Sequence, residues 1–189
     1  LFPNSEVIIA IDEKDENRKY WRHEMFPYYK DGRKRQNSVL PKEFIYQAFN
    51  TMKQELKEHF PYKCVSVSGA EADDIIAICC QEYSLSNVII ASSDKDFRQL
   101  HWNENIYQYD PMKNIFIREK NPAKYLFEHV LRGDSSDGIP NFLSDDDALS
   151  NPNKKQVRLT SKRVNLLYKE YQNFNDIGMK SDVSEKEFE

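Results

Sequence analysis

Three short apolar runs alternate with longer stretches in which apolar side chains recur every three to four residues. The runs extend over 6–11, 62–67 and 87–92, and each has the length and continuous apolar character of a strand buried in a parallel sheet. The periodic stretches predict amphipathic helices at 42–59 and from a Ser68 N-cap to about residue 83. Strand, helix and strand in this order form a βαβ unit. We therefore expect an α/β fold, a three-layer α/β/α sandwich with a mostly parallel central sheet.

A hairpin and a further helix are predicted after the third strand. The segments 106–110 and 115–118 have the composition of strands, and the turn between them contains Pro111. Pro122 suits the first turn of a helix, where its missing N–H is not needed, and this helix is expected to reach Leu131. These elements extend the predicted core to about residue 142.

The remaining residues are predicted to form a small helical region. Residues 144–153 are polar and acidic, which predicts a mobile surface loop. An amphipathic helix is expected at about 161–171, and the charged residues from Asp176 onward are expected to fray. We divide the chain into a core of residues 1–142, with an insert at about 17–40, and a helical region of residues 143–189.

Acidic residues cluster where the predicted strands end and where the next segments begin. Parallel strands end at the same edge of a sheet, where ligands of α/β folds collect, so these acids are expected to converge. Like charges held close together repel each other unless cations neutralise them. Carboxylate oxygens suit paired Mg²⁺ or Mn²⁺ ions, which can act on a phosphodiester. The candidate catalytic residues are Asp12, Glu71, Asp73, Asp94, Asp96, Asp134 and Asp137, and all except Glu71 are candidate metal ligands.

Each of these acids also has a structural explanation when it is taken alone. Asp12 suits a loop or a helix cap, and Glu71 suits the reciprocal partner of a Ser68 N-cap in a capping box. Asp73 and Asp74 in a first helical turn are favoured by the helix dipole. The convergence of several distant segments on one predicted edge favours the shared metal site over these separate explanations.

The charge and the cysteines narrow the class of protein. The net charge is −4, yet basic residues crowd the segments 18–35 and 154–169, which is compatible with a phosphate-rich ligand. The three cysteines lack the spacing of a zinc site and indicate a reducing compartment. The sequence shows no apolar run of membrane-spanning length and no signal peptide, so we expect a soluble, cytoplasmic protein that does not bind a membrane.

Five segments taken in order resemble a known superfamily. VIIAID, a basic aromatic insert, EADD, SSDKDF and GDSSDGIP follow one another between Val7 and Phe142. This order is similar to that of the PIN-like 5′-nucleases, which include flap endonucleases, the nuclease domains of bacterial DNA polymerases and the ribonuclease H of T-even-type phages. The resemblance implies hydrolysis of RNA·DNA or DNA duplexes at 5′ ends and 5′ flaps, in primer removal during phage-type DNA replication. It also implies a host-cell cytoplasmic location and adds a replication single-strand-binding protein to the candidate partners.

The same resemblance assigns roles to the acids. It implies one ion held by residues matching Asp12, Asp73 and Asp94, with Glu71 nearby. A second ion would be approached by the residues matching Asp96, Asp134 and Asp137, often through water. The expected cofactor is therefore a pair of Mg²⁺ ions, with Mn²⁺ as a substitute, one activating the attacking water and one stabilising the departing 3′ oxygen.

The basic aromatic insert resembles the helical arch through which such enzymes take the 5′ strand. Phosphate contacts are therefore expected from the insert, and either of two neighbouring tyrosines is expected to stack on a base. Trp21 and Phe26 are instead expected to pack on the core. A helix N-terminus with basic neighbours is predicted to grip duplex phosphates near residue 161. The candidate nucleic-acid contacts are Arg22, Lys30, Arg33, Lys34, Tyr28, Tyr29, Lys162 and Arg163.

Two features depart from the pattern of the superfamily. The glycine-rich turn that would follow Phe142 is replaced by the acidic segment 144–147. A further metal-binding Asp would be expected upstream of Val7, where this sequence offers none. We therefore expect a member cut at both ends, with an exposed apolar edge on its first strand and slow or absent hydrolysis.

Two alternatives to a hydrolytic enzyme differ in class. A catalytically impaired fragment would keep the groove and bind nucleic acid without cleaving it, which the missing upstream Asp favours. A receiver-type signalling domain also clusters acids at strand ends, but it needs neither the GDSSDGIP loop nor the basic aromatic insert.

Overall fold

The computed structural model describes residues 5–31 and 41–186. The strands are β1 (Ile8–Ile11), β2 (Lys63–Ser66), β3 (Val88–Ala91), β4 (Ile106–Asp110) and β5 (Ile115–Ile117). The α-helices are α1 (Arg22–Met25), α2 (Lys42–His59), α3 (Ala72–Glu82), α4 (Pro122–Arg132) and α5 (Ser161–Lys186), and a 3₁₀ segment covers Lys95–Leu100. The α/β class and the order of elements predicted from the sequence are confirmed.

The strands form two small sheets. β1 and β2 pair in parallel, from Ile8 opposite Lys63 to Ile11 opposite Ser66. β3 and β4 also pair in parallel, and β5 returns antiparallel to β4, as a hairpin requires. Within the described residues no strand pairs with the other side of β1, and no ladder joins the two sheets. Helix α3 contacts β1, β2 and the 3₁₀ segment, and so links the two halves.

The core lies between α3 and the second sheet. Cys80, Ile90, Phe97 and Ile106 are buried and contact one another. Ile90 and Ile106 lie on β3 and β4, so the apolar runs that predicted these strands also supply the interior. Phe97 lies within the 3₁₀ segment, which therefore fixes the position of the acids on either side of it.

The C-terminal region differs from expectation at its last helix. α5 continues to Lys186 and does not end near residue 171. A charged sequence alone does not end a helix, and no proline occurs after Pro152 to do so. The acidic segment before α5 is a series of turns in which Lys154 Nζ contacts Asp145 Oδ2 at 3.0 Å and Asp147 Oδ1 at 2.7 Å.

None of the helices in the described part of the chain combines the length and the apolar character needed to cross a membrane.

Candidate metal centre

Carboxylates from three separate segments line one cavity of about 280 Å³. Asp73 comes from the first turn of α3, Asp96 from the 3₁₀ segment, and Asp134 with Asp137 from the loop after α4. Arg22 and His129 also line this cavity. Four of the six predicted metal ligands are therefore brought together, although their segments are far apart in sequence.

Asp134 is positioned by the fold of its own loop. Gly133 has φ +65°, and a Cβ atom there would lie 2.3 Å from the Pro140 carbonyl oxygen, so only glycine fits. The Ile139 N–H donates to the Asp134 carbonyl at 2.8 Å, and the Ser136 N–H donates to the Asp134 carboxylate at 2.8 Å. The GDSSDG sequence thus forms a tight loop that wraps around a buried carboxylate.

Three of the groups that line the cavity form a cluster of candidate metal ligands. Ligand atoms of Asp96, His129 and Asp134 all lie within 4.8 Å of one another. The His129 Nε2 atom lies 3.4 Å from Asp96 Oδ1 and 4.0 Å from Asp134 Oδ2. His129 was not among the sequence candidates, because a histidine in the last turn of an amphipathic helix is ordinary there.

The pKa values of the two carboxyl groups in this cluster are shifted in opposite directions. Burial and the neighbouring Asp94 carboxylate raise the pKa of Asp96. Burial also acts to raise the pKa of Asp134, but hydrogen bonds from Lys95 and Ser136 outweigh it and hold that pKa at about 2. Lys95 Nζ lies 2.7 Å from Asp134 Oδ2, so an ammonium group already neutralises this carboxylate.

Glu71 belongs to a buried ion-pair network that shares Arg22 with the lining of the cavity. It is only 3% exposed and accepts hydrogen bonds from Arg22, at 3.0 Å, from the Tyr29 hydroxyl, at 2.6 Å, and from Lys30. Both terminal nitrogens of Arg22 also donate hydrogen bonds to the Asp74 carboxylate, each at 2.8 Å. The basic insert therefore folds back onto the acids of α3.

The predicted capping box at Ser68 is wrong. The N-cap of α3 is Glu71, whose N–H donates to Asp74 Oδ2 at 3.0 Å. Gly69 has φ +80° and takes part in a turn in which the Ala70 N–H donates to the Val67 carbonyl. Residues 68–70 form the turn that follows β2 and are not helical. The helix therefore begins about one turn later than the Ser68 pattern indicates.

Asp12 and Asp94 are predicted ligands that make local structural contacts. Asp12 Oδ1 accepts a hydrogen bond from the Ala72 N–H at 2.6 Å, which joins the end of β1 to the start of α3. Asp94 Oδ1 accepts from the Asp96 N–H at 3.0 Å and caps the 3₁₀ segment. Asp12, Glu71 and Asp94 do not belong to the described lining of the cavity.

The predicted nucleic-acid contacts other than Arg22 and Lys30 fall into three groups. Tyr29 is 3% exposed and offers no ring face to a base, whereas Tyr28 is 37% exposed. Lys162 and Arg163 are exposed in the first turn of α5 and line an open groove with Thr160. Arg33 and Lys34 lie outside the described residues.

Trp21 does not pack on the core as predicted. Its side chain is 44% exposed, and its Nε1–H donates to Asp74 Oδ2 at 3.0 Å. The Arg22 guanidinium lies 4.9 Å from the centre of the Trp21 ring. Phe26 packs edge-on against Tyr28, with 5.7 Å between ring centres. These aromatics support the insert itself and not the core.

Sequence inspection also missed a buried glutamine behind the metal ligands. Gln108 on β4 is fully buried, and its Nε2 donates to the Ser92 carbonyl at 2.8 Å and the Asp94 carbonyl at 2.7 Å. These bonds fix the backbone that carries Asp94 and Asp96. The available signal was a polar residue in the middle of a strand, since such a group needs partners when it is buried.

Comparisons with known proteins agree with this architecture. The family described as 5′-3′ exonuclease, N-terminal resolvase-like domain, matches residues 2–128. Ribonuclease H of Enterobacteria phage T4 is 30% identical over 141 residues, which is 71% of this chain and 46% of that protein. A 5′-3′ exonuclease of Buchnera aphidicola subsp. Schizaphis graminum is 35% identical over 147 residues, 72% of this chain and 48% of that protein. The chain thus spans about half the length of these curated relatives.

A solved structure of the phage T5 D15 flap endonuclease, a pseudo-enzyme-product complex with DNA and metal ions, has the same fold. Its TM-score is 0.61 at 19% identity, and the match covers 74% of this chain and 56% of that one. At this identity the likeness supports the fold, while the family match rests on the sequence. The chain therefore belongs to the 5′-3′ exonuclease family, a family of nuclease hydrolases, and contains that family's N-terminal resolvase-like domain.

Proposed function

We propose that this chain is the catalytic domain of a metal-dependent 5′-nuclease that hydrolyses DNA and RNA·DNA duplexes at 5′ ends and 5′ flaps. The observation that carries the proposal is the convergence of Asp73, Asp96, Asp134 and Asp137 in one cavity. Its biological setting would be primer removal in phage-type DNA replication, with a replication single-strand-binding protein as a partner. The names of the curated relatives and the DNA and metal ions of the T5 complex support this reading.

The acids of the cavity fit divalent cations. The Oδ1 atoms of Asp73 and Asp96 are buried, and neither accepts a hydrogen bond from the described residues. Such oxygens are costly to bury unless a cation reaches them. We assign one Mg²⁺ or Mn²⁺ ion to Asp73, and propose that the Asp12 and Asp94 side chains turn toward this ion when it binds. We assign a second ion to Asp96, Asp134 and Asp137. A bound ion pair would supply an activated water and neutralise charge on the departing 3′ oxygen.

Basic residues of the insert are placed to meet the substrate beside these acids. Arg22 and Lys30 hold Glu71 and Asp74 in the protein without nucleic acid, and a phosphate would offer them equivalent oxygen acceptors. We assign base stacking to Tyr28, which keeps an exposed ring, and further phosphate contacts to Arg33 and Lys34. Lys162 and Arg163 would contact duplex phosphates at the start of α5.

A second candidate function is binding of nucleic acid without hydrolysis. It is favoured by the cations that already lie on the cavity acids, with Lys95 on Asp134 and Arg22 within 3.5 Å of Asp73. It is also favoured by Asp12, whose carboxylate bonds the Ala72 backbone.

The test is a cleavage assay on a 5′-labelled flap duplex and a 5′-labelled RNA·DNA hybrid, with Mg²⁺, with Mn²⁺ and with EDTA. We expect short 5′ products that require metal and disappear in Asp96→Asn, while binding measured by fluorescence anisotropy is kept. Asp145→Asn, which removes an exposed acid of the loop before α5, is the matched control and should cleave like the parent chain.

Tight binding without metal-dependent products would favour the second candidate. Products that persist in Asp96→Asn would show a contaminating nuclease or a different active site, and either result would overturn the assignment of the cavity.

A further inference from the structure

We propose that the His129 imidazole is a nitrogen ligand of the ion held by Asp96 and Asp134, and that it makes this centre prefer Mn²⁺ to Mg²⁺. The inference deepens the proposed function, since it concerns the same cavity. It adds His129 of α4 to the ligands and assigns the site a metal preference. The sequence had predicted oxygen ligands alone.

The distances within the cluster are close to those of a coordination site. Metal–ligand bonds of about 2.1 Å place neighbouring ligand atoms about 3.0 Å apart in an octahedron and about 3.4 Å apart in a tetrahedron. His129 Nε2 lies 3.4 Å from Asp96 Oδ1 and 4.0 Å from Asp134 Oδ2. Small side-chain rotations would therefore bring these three atoms around one ion. His129 and Asp96 keep 24% and 31% of their side chains exposed, which leaves room for such rotations.

His129 Nε2 lies at ion-pair distance from Asp96 Oδ1, 3.4 Å, without a hydrogen bond between them. Asp96 Oδ1 is buried and accepts no hydrogen bond within the described part of the chain. Asp134 already has Lys95 as its cation, at 2.7 Å. The nitrogen thus lies near two carboxylate oxygens without a hydrogen bond to either, an arrangement that a shared cation would complete.

The imidazole also lies beside a ring that connects it to the segment of Asp96. The Tyr125 ring, one turn earlier on α4, lies nearly parallel to it at 6.0 Å between centres and 10° between planes. The Tyr125 hydroxyl donates to the Lys95 carbonyl at 2.9 Å, which ties α4 to the segment that carries Asp96. The histidine and its carboxylate partner therefore belong to one connected unit.

A nitrogen ligand changes which ion the site selects. Carboxylate and water ligands suit both Mg²⁺ and Mn²⁺, but Mn²⁺ is a transition-metal ion that also accepts an imidazole nitrogen, whereas Mg²⁺ is bound almost entirely by oxygen. Loss of the imidazole should therefore weaken Mn²⁺ binding more than Mg²⁺ binding. Lys95 would have to leave Asp134 for either ion, and its side chain is 53% exposed and free to turn into solvent.

The test is pulsed electron paramagnetic resonance of Mn²⁺, added at less than one equivalent to the full chain, with isothermal calorimetry for both ions. We expect ¹⁴N modulation of a coordinated imidazole in the parent chain, its replacement by a ¹⁵N signal after selective ¹⁵N-histidine labelling, and its loss in His129→Gln. Mn²⁺ affinity should fall about tenfold in His129→Gln and Mg²⁺ affinity less than about threefold. His59→Gln, on the exposed face of α2, is the matched control and should keep both the signal and the affinities.

The outcomes of this test distinguish a failure of the His129 inference from a failure of the proposed nuclease function. Mn²⁺ bound without an imidazole signal, a signal that survives in His129→Gln, or an equal loss of both ions would overturn it and leave the proposed nuclease function standing. Absence of Mn²⁺ binding at millimolar concentration would overturn it as well. A histidine signal in a protein that does not cleave would support the inference and count against hydrolysis.

Discussion

Individual basic side chains pair with several of the acids. Arg22 holds Asp74 with two hydrogen bonds, and Lys95 holds Asp134 with one. The Arg22 bonds lower the pKa of Asp74, against the effect of its burial. Asp73 behaves differently, because burial raises its pKa despite the nearby guanidinium. Mutual repulsion, from which a metal pair was predicted, is therefore relieved in part by the protein's own cations.

Arg22→Lys is expected to lower the free energy of unfolding by about 1–3 kcal/mol, because an ammonium group cannot reproduce the paired bonds to Asp74 and the bond to Glu71. Urea unfolding followed by circular dichroism measures the change. Arg158→Lys, at an exposed position, is the control and should change stability by less than about 0.5 kcal/mol. Equal stabilities of the two variants would mean that the Arg22 network contributes nothing to the fold.

At the scale of elements, the sequence predicted most boundaries to within two residues. β3 is Val88–Ala91 within a predicted 87–92, and α4 is Pro122–Arg132 against a predicted end at Leu131. These predictions succeeded because apolar periodicity and proline act locally. The start of α3 could not be placed as well, since Ser68 is an ordinary N-cap residue and Glu71 is not, yet the turn at Gly69 moves the N-cap to Glu71. The role of Gln108 was also hidden, because its partners lie in the segment that follows β3.

Gln108→Met is expected to release the segment between β3 and the 3₁₀ helix while nearly keeping the side-chain volume. The part-buried carbonyls of Ser92 and Asp94 would lose their donor, which should cost about 1–3 kcal/mol of unfolding free energy. Because this backbone carries Asp96, Mn²⁺ affinity measured by calorimetry should fall as well. Gln81→Met, exposed on α3, is the control and should leave both quantities unchanged. Lost stability with unaltered Mn²⁺ affinity would show that Gln108 supports the core and does not position the metal ligand.

At the scale of the whole molecule, the cavity is lined by segments that are connected to both sheets. Asp73 belongs to α3, which contacts β1 and β2, while Asp96 follows β3, and Asp134 follows α4. Shared motif order predicted that these acids converge, but the sequence could not show that Asp12 and Asp94 bond the backbone or that His129 enters the cluster. Those facts depend on how α4 and the two sheets are placed in three dimensions.

Because the cavity ligands come from both halves, a bound ion should stabilise the whole fold. At about ten times its dissociation constant, an ion that binds only the folded chain adds about 1.4 kcal/mol. For a chain of this size that raises the midpoint of thermal unfolding by roughly 3–6 °C. Differential scanning fluorimetry with Mn²⁺ should show this rise, and excess EDTA should reverse it. The rise should be much smaller in Asp96→Asn and unchanged in Asp145→Asn, whose carboxylate lies in the loop before α5. An equal rise in all three proteins would mean that the ion binds outside the cavity. In that case the ion would not stabilise the fold by linking the two sheets.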